Sequence, residues 1–279
     1  MEREQKTADY PVISSRKNQM IHMAAELTQS ARARRETGLF VAEGARLCMD
    51  AAKSGVHIHR CFFTAAAKEK YAAYLAPILK AAAECYRLEE HVAERLSKTK
   101  HSQAVFCQCE IPLQPTEPLI GKTLVLDNIQ DPANLGAAMR TAEALGMAHV
   151  VLLGAAQDPY APKVLRASMG AVFRKPVHLF AQSEGLFAAL RQADSQSYAA
   201  VAGQAQLRLG ENQFPENSAV FIGNEGNGLL AETIRACGKT ITIPMPGRGE
   251  SLNAAAAAAI LMWEMIKCVP KNPNRDHEA

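Results

Sequence analysis

Three separated stretches of this chain crowd polar side chains around turn-forming residues. The first holds Asn128, Asp131, Pro132, Asn134 and Arg140, the second Gly223, Asn224, Glu225 and Gly228, and the third runs from Ile243 through Gly249 and Ser251 to Leu252 and Asn253. Their side chains offer a guanidinium for binding an anion through two donors, a carboxylate, and amides that both donate and accept. The third stretch reads as a strand, a loop kept irregular by Pro244, Pro246, Gly247 and Gly249, and a helix whose first residue is prepared by Ser251 as an N-cap. Backbone N–H groups left unpaired at such a helix start suit the carboxylate or heterocycle edge of a small ligand. Each stretch also has a bland reading. Arg140 can pair with Glu143 on its own helix, Glu225 can be a solvated turn residue, and Ser251 with the six alanines after Asn253 can be cap and packing filler. A dinucleotide fingerprint is excluded: Gly247 and Gly249 lack the third glycine, and the helix runs into Val269 and Pro270 with no following strand and ribose-binding acid.

The elements that must carry these stretches form two alternating series. In the first, a helical stripe over 14–36 ends in the basic run Arg32, Arg34, Arg35, and strands are expected at 39–42, 58–64, 84–88 and 103–109 with helices at 45–53, 65–83 and 89–96. Three prolines between Ile111 and Pro118 punctuate the chain, so the expected division is a domain over 1–110, a linker over 111–121, a second domain over 122–270 and a disordered tail over 271–279. In the second series strands are expected at 123–126, 148–153, 172–180, 198–201, 219–222 and 240–243. Helices fill 132–145, 162–167, 184–193, 228–236 and 251–267. Continuous apolar strands separated by helices imply an α/β fold with a mostly parallel sheet covered on both faces. Ligands of such sheets gather beyond the carboxyl ends of the strands, where the loops after Leu126, Ile222 and Ile243 all lie.

Composition narrows the class. At 279 residues and 48% apolar content the chain can bury two cores, and a formal charge of +3 is too small to establish a nucleic-acid partner by itself. Arg16, Lys17, Arg32, Arg34 and Arg35 nevertheless concentrate basic charge near the start. The 7 cysteines are an odd number without a CxxC pair, which fits reduced, buried thiols of a cytoplasmic protein and neither a disulfide framework nor zinc spacing. The first ten residues lack an apolar leader core, and no stretch has the length of a membrane span.

Taken together, the three stretches resemble the SpoU (TrmH-like) branch of the SPOUT RNA methyltransferases. The matching motifs are Asn128-x-x-Asp131-Pro-x-Asn134-Leu-Gly-x-x-x-Arg140-Thr-Ala, Gly223-Asn224-Glu225-x-x-Gly228, and Ile243-Pro-Met245-x-Gly-x-x-Glu250-Ser251-Leu252-Asn253; residues 161–173 are similar as well. A run of alanines alone after Asn253, where the family often carries valine, is a mild departure that bears on packing. The first half, with Asn18, the basic run and Phe40-Val-Ala-Glu-Gly44, resembles less closely the L30e/L7Ae-like substrate-binding domain that precedes the catalytic domain in many members.

The resemblance implies S-adenosylmethionine-dependent methylation of a ribose 2′-OH, a C-terminal trefoil knot, and a homodimer joined through the knotted domain, with no metal and no membrane. It assigns catalysis to Arg140, Asn134, Glu225, Ser251 and Asn253. It assigns the cofactor to Gly223, Asn224, Ile243, Met245, Gly249, Ser251, Leu252 and Asn253, and RNA contact to Arg16, Lys17, Arg32, Arg34, Arg35 and Arg140. Ribosomal RNA is the favoured substrate on the two-domain layout. The alternatives are transfer RNA, or a knotted RNA-binding protein without turnover.

Overall fold

A computed structural model describes residues 10–99, 101–211 and 213–267; the expected disordered tail over 271–279 lies outside them. The chain falls into two compact units. One runs to Leu113 and takes in Asp158–Phe173, and the other holds Gln114–Gln157 and everything described from Arg174 on. Residues 111–121 form neither helix nor strand, because the prolines supply no ladder donors.

The first unit contains β1 (Val12–Ile13), α1 (Gln19–Leu27), α2 (Ala31–Thr37), β2 (Leu39–Glu43), α3 (Ala45–Lys53), β3 (Ile58–Thr64), α4 (Ala65–Lys70), α5 (Ala72–Ala81), β4 (Ala82–Leu88), α6 (Glu90–Leu96) and β5 (Val105–Glu110). Its sheet has the order β1-β4-β3-β5-β2, with β5 antiparallel to both neighbours. Ile21, Ala24, Leu27, Phe62, Val92, Leu96 and Phe106 pack together as a core on one side. The single helix expected over 14–36 is two. Asn18 caps the first by accepting from Met20 N, and Ser30 starts the second by accepting from Ala33 N, so a fresh cap interrupts the apolar stripe. The helix expected over 65–83 likewise breaks at Tyr71, and its end is already strand from Ala82.

The second unit begins with β6 (Lys122–Asp127), α7 (Pro132–Ala144) and β7 (His149–Leu153). Next come α8 (Pro162–Ser168), which belongs to the first unit, α9 (Ala171–Arg174), which belongs to it as far as Phe173, β8 (Val177–Phe180), α10 (Ser183–Gln192) and β9 (Gln196–Ala200). The described chain closes with β10 (Leu207–Arg208), β11 (Ser218–Ile222), α11 (Ala231–Ala236), β12 (Lys239–Thr242) and α12 (Ala254–Lys267). Seven strands pair in the order β10-β12-β9-β11-β6-β7-β8, every pair parallel. The apolar runs Leu124–Leu126, Val150–Leu153 and Ala219–Ile222 are buried on both faces, as covered parallel strands require. From β6 the chain moves outward through β7 to β8 and then returns to the other side, so the order reverses between β6 and β11, and the crevice above their carboxyl ends is a topological switch point.

Two expectations fail locally. Residues 172–180 are not one strand: Met169 and Gly170 take positive φ, Ala171–Arg174 forms one helical turn, and β8 starts after Pro176. A short apolar run fits a buried turn of helix as well as a strand, and burial of Ala171, Val172 and Phe173 is achieved by the helix. Ser251 does not cap the last helix. That helix starts at Ala254, and Asn253 Oδ1 accepts from Ala255 N (2.9 Å) and Ala256 N (3.2 Å). The alanine run lets α12 pack against α7, with Ala258, Leu261, Met262 and Met265 buried.

Candidate active site

The crevice at the switch point is built from the ends of β6, β11 and β12. β6 ends in Asp127, whose buried carboxylate accepts from Asn128 Nδ2 (2.7 Å) and Thr233 Oγ1 (3.2 Å). Burial raises its pKa, an effect those two hydrogen bonds partly offset. Asn128 turns the chain at a φ of 54°, a conformation asparagine tolerates, and its Oδ1 accepts from Ala155 N at 2.8 Å. The turn needs a glycine opposite, since a Cβ on Gly154 would lie 2.6 Å from that same oxygen. Asp131 then caps α7 through Ala133 N (2.8 Å) with Pro132 at the first helical position.

The loop after β11 closes on itself and on this first loop. Asn224 and Gly228 exchange backbone hydrogen bonds of 3.1 and 2.9 Å, while Asn224 Oδ1 accepts from Gly226 N and Asn227 N. Gly223 cannot be replaced: an added Cβ would sit 2.2 Å from the Gly228 carbonyl carbon. Asn224 Nδ2 donates to Asn128 O at 2.9 Å, and the Glu225 carboxylate accepts from Gln130 N (3.2 Å), Asp131 N (3.1 Å) and Asn134 Nδ2 (3.0 Å). Burial by itself would raise the Glu225 pKa. The Asn134 amide and the backbone donors of Glu225, Gln130 and Asp131 outweigh it and hold the carboxyl below its ordinary value, so Glu225, although exposed, is a carboxylate fixed by hydrogen bonds.

The third loop joins through a single residue. Asn253 Nδ2 donates to Asn134 Oδ1 at 2.8 Å while its own Oδ1 caps α12. The side chains Glu225, Asn134 and Asn253 therefore run in one hydrogen-bonded line across three loops, with Asn134 91 residues from Glu225 and 119 from Asn253 in sequence. They rim a cleft of about 1140 Å³ whose floor includes Ile222, Ile241 and Leu261 and whose wall includes Gly223 and Met245. An apolar floor with a few convergent polar groups at the rim is the form of a small-molecule site.

Among the residues singled out from sequence, Asn134, Gly223, Asn224, Glu225, Ile243, Met245, Ser251, Leu252 and Asn253 all line this cleft. Gly249 does not, and open space surrounds the position a Cβ would take there. Arg140 does not line it either. It lies six residues along α7 from Asn134, about 9 Å down the axis and on a different face. It is exposed and makes no ion pair among the described residues; Glu143 is taken instead by Arg174 at 3.0 Å, so the bland pairing of Arg140 with Glu143 is overturned. Sequence reasoning missed Gln130, Val201 and Ile234. Val201 follows β9, and the rule that ligands gather beyond carboxyl ends of parallel strands could have pointed to it.

In the first unit the basic residues divide. Arg34 is only 4% exposed, and its guanidinium is spent on Asp158 Oδ2 and Leu27 O, both at 2.6 Å, so as folded it cannot reach a phosphate. It belongs to the interior, a correction its sequence neighbours gave no sign of. Arg16 pairs with Glu94 (2.7 Å) and Arg32 with Glu36 (2.6 Å), both exposed, while Lys17 and Arg35 are exposed with no ion pair among the described residues.

A seven-stranded parallel α/β unit with its polar loops wired together at a switch-point cleft defines a ligand-binding enzyme domain. Residues 121–263 match the SpoU rRNA Methylase family, and residues 18–107 match the MRM3-like substrate binding domain. The chain belongs to the SpoU rRNA methylase family. It is 29% identical over 253 residues to the 23S rRNA (guanosine(2553)-2′-O)-methyltransferase RlmP of Bacillus subtilis, covering 91% of this chain and 98% of that one. It is 34% identical over 144 residues to the 23S rRNA (guanosine-2′-O-)-methyltransferase RlmB of Xylella fastidiosa, covering 52% and 57%. The crystal structure of an AdoMet-bound rRNA methyltransferase from Sinorhizobium meliloti superposes with a TM-score of 0.80 at 28% identity, covering 92% of this chain and 97% of that one.

Proposed function

We propose that this protein transfers a methyl group from S-adenosylmethionine to a ribose 2′-OH of ribosomal RNA. The observation that carries the reading is the line Glu225–Asn134–Asn253, which ties three loops around one cleft of about 1140 Å³, roomy enough for a nucleoside-bearing cofactor. The residues fit the cofactor: the apolar lining of Ile222, Ile241 and Leu261 suits an adenine ring, and Gly223, Ile243 and Leu252 also line the cleft, where their backbone groups would hold its polar edge. When bound, S-adenosylmethionine supplies an electrophilic methyl on a sulfonium, and this needs no metal.

The protein's part is to position the ribose and manage charge. A ribose hydroxyl is a very weak acid, so its proton must leave, or its oxygen be stabilised, as the bond to carbon forms. A guanidinium can clamp the adjoining phosphate through two donors and polarise that oxygen, and Arg140 is the residue assigned to it. Asn134 and Glu225 hold the first loop in place, Asn253 ties α12 to it, and Ser251 stands at the rim for the substrate.

The distance of Arg140 from its own cleft is accounted for by a homodimer in which one chain's Arg140 serves the other's cleft. Support comes from α12, where Trp263 is 58% and Ile260 38% exposed, an apolar face unusual for a helix this well packed elsewhere. Sedimentation should give twice the 30.2 kDa chain mass, and Trp263→Glu should shift it toward the monomer. The same reading includes a trefoil knot in the C-terminal segment, RNA contact through Lys17 and Arg35 with the exposed Arg16 and Arg32, and a cytoplasmic location; no helix of the described residues is long and apolar enough to cross a membrane. The proposed domain division remains 1–110, 111–121 and 122–270, although Asp158–Phe173 clusters with the first unit.

The test is incubation of the purified protein with methyl-labelled S-adenosylmethionine and either ribosomal or transfer RNA, followed by digestion to nucleosides. Label in a 2′-O-methylated nucleoside from ribosomal RNA is the expected result. Label on a base, or none in either RNA, contradicts it, and label from transfer RNA alone moves the substrate.

A further inference from the structure

The opposite end of the parallel sheet holds a second group of chemically able side chains. His149 opens β7 and His178 is the second residue of β8, on neighbouring parallel strands where Val151 stands opposite His178. With the pleat's period of two, His149 and His178 point to the same face. Both imidazoles are buried, their rings cross at 70° with centroids 5.0 Å apart, and His149 Nδ1 faces His178 Nε2 at 3.1 Å. The exposed Glu117, from the proline-bearing segment before β6, brings a carboxylate oxygen within 4.8 Å of a ring nitrogen of each histidine.

We propose that Glu117, His149 and His178 form a binding site for a zinc-class divalent metal ion that staples the segment before β6 to the edge of the sheet. Two nitrogens bound to one zinc at about 2.0–2.1 Å with tetrahedral angles lie roughly 3.3 Å apart, close to the separation already present. His149 Nε2 lies 3.0 Å from Ile120 O, a pairing that places the proton on Nε2 and leaves the Nδ1 lone pair free. A ligand imidazole that donates its other N–H to a backbone carbonyl is the usual outer arrangement of a zinc site. In the metal-free pair His178 Nε2 carries the proton shared with His149. Binding needs only that this proton move to His178 Nδ1, the other neutral tautomer, so no net proton is lost. The solvent side of Glu117 leaves a fourth position for water.

The electrostatics are consistent with that assignment. Burial lowers the pKa of both rings, further for His178 through His149, and only the Glu117 carboxylate and the Ile120 carbonyl act the other way. Neutral rings are the form a metal requires. Lys175 opposes a cation here, and its ammonium is held at Ala148 O, 3.2 Å away. A carboxylate beside two neutral imidazoles is a hard and borderline donor set suited to zinc or cobalt and poor for magnesium.

The experiment is titration of the chelator-treated full chain with Zn²⁺ by calorimetry and with Co²⁺ by visible absorption. One equivalent should bind, with a Co²⁺ spectrum of low coordination number and no thiolate charge-transfer band, since the chain's 7 cysteines are the rival ligands. Glu117→Gln, at an exposed position, should keep the circular dichroism of the parent and weaken Zn²⁺ at least about tenfold, the lower bound for disturbing even an outer partner. His178→Gln should abolish binding. His59→Gln, in the separate cluster of His57, His59 and Glu110, should leave it unchanged. Absence of stoichiometric binding, a thiolate band, or Zn²⁺ affinity untouched by Glu117→Gln would overturn the proposal, leaving the two histidines as a hydrogen-bonded pair in the core.

Discussion

The two ends of the seven-stranded sheet are both polar, and they use polarity in opposite ways. At the carboxyl end the polar side chains stand on loops, bond across loops, and keep one side facing a cleft. At the amino end they are interior groups that satisfy what surrounds them: the Lys122 ammonium reaches Phe214 O (3.0 Å), Pro215 O and Ser218 Oγ, and Asn217 Oδ1 accepts from Gly121 N (3.0 Å). A hydrogen bond at the first end positions a group for something outside the chain, and a hydrogen bond at the second prevents an unpaired buried charge. Mutations of the loop residues at the carboxyl end and of Lys122 or Asn217 at the amino end should therefore separate into losses of cofactor binding or turnover and losses of stability.

The largest effect tests the carboxyl end. Arg140→Ala is expected to lower methyl transfer by about 10²–10³, the size of losing one charge-stabilising donor, with calorimetric affinity for S-adenosylmethionine unchanged. Turnover at the parental rate would remove Arg140 from the mechanism. Next, Glu225→Ala takes an acceptor from Gln130 N, Asp131 N and Asn134 Nδ2 together and should weaken S-adenosylmethionine about tenfold with little change in Tm. If Tm falls and affinity does not, the carboxyl end is structural like the other and the comparison collapses.

At the amino end, Lys122→Met should leave cofactor affinity as it was and destabilise by about 1–3 kcal/mol, because the carbonyls of Phe214 and Pro215 lose their donor; denaturant unfolding measures it. The smallest effect is in pH. The Glu225 pKa is depressed on folding, so its contribution is fully present above the ordinary value of 4.5 and is lost only as pH falls through the lower folded value. Cofactor affinity should hold as pH is lowered to the ordinary glutamate range and fall below it, and Glu225→Gln should flatten that profile.

Much of the carboxyl end was legible in the sequence, because motif residues there sit on loops after apolar strands and the parallel fold dictates where such loops meet. What sequence could not give was direction. Arg140 and Asn134 share one helix, yet only Asn134 faces the cleft, and Ser251 looks like a cap while Asn253 performs that role. Arg34 and Arg35 are adjacent basic residues, and only tertiary packing puts one against Asp158 and the other in solvent. The amino end was nearly silent in sequence. His149 and His178 are 29 residues apart and resemble ordinary strand residues until the β7–β8 register brings them together.

The central claim is that three loops hold one sulfonium donor. Hydrogen exchange followed by mass spectrometry, with and without saturating S-adenosylmethionine, examines all three at once. The account predicts joint protection of 127–134, 222–229 and 243–254 with the peptides around Lys122 and His149 unchanged. Protection confined to a single loop, or appearing at the amino end of the sheet, would contradict it.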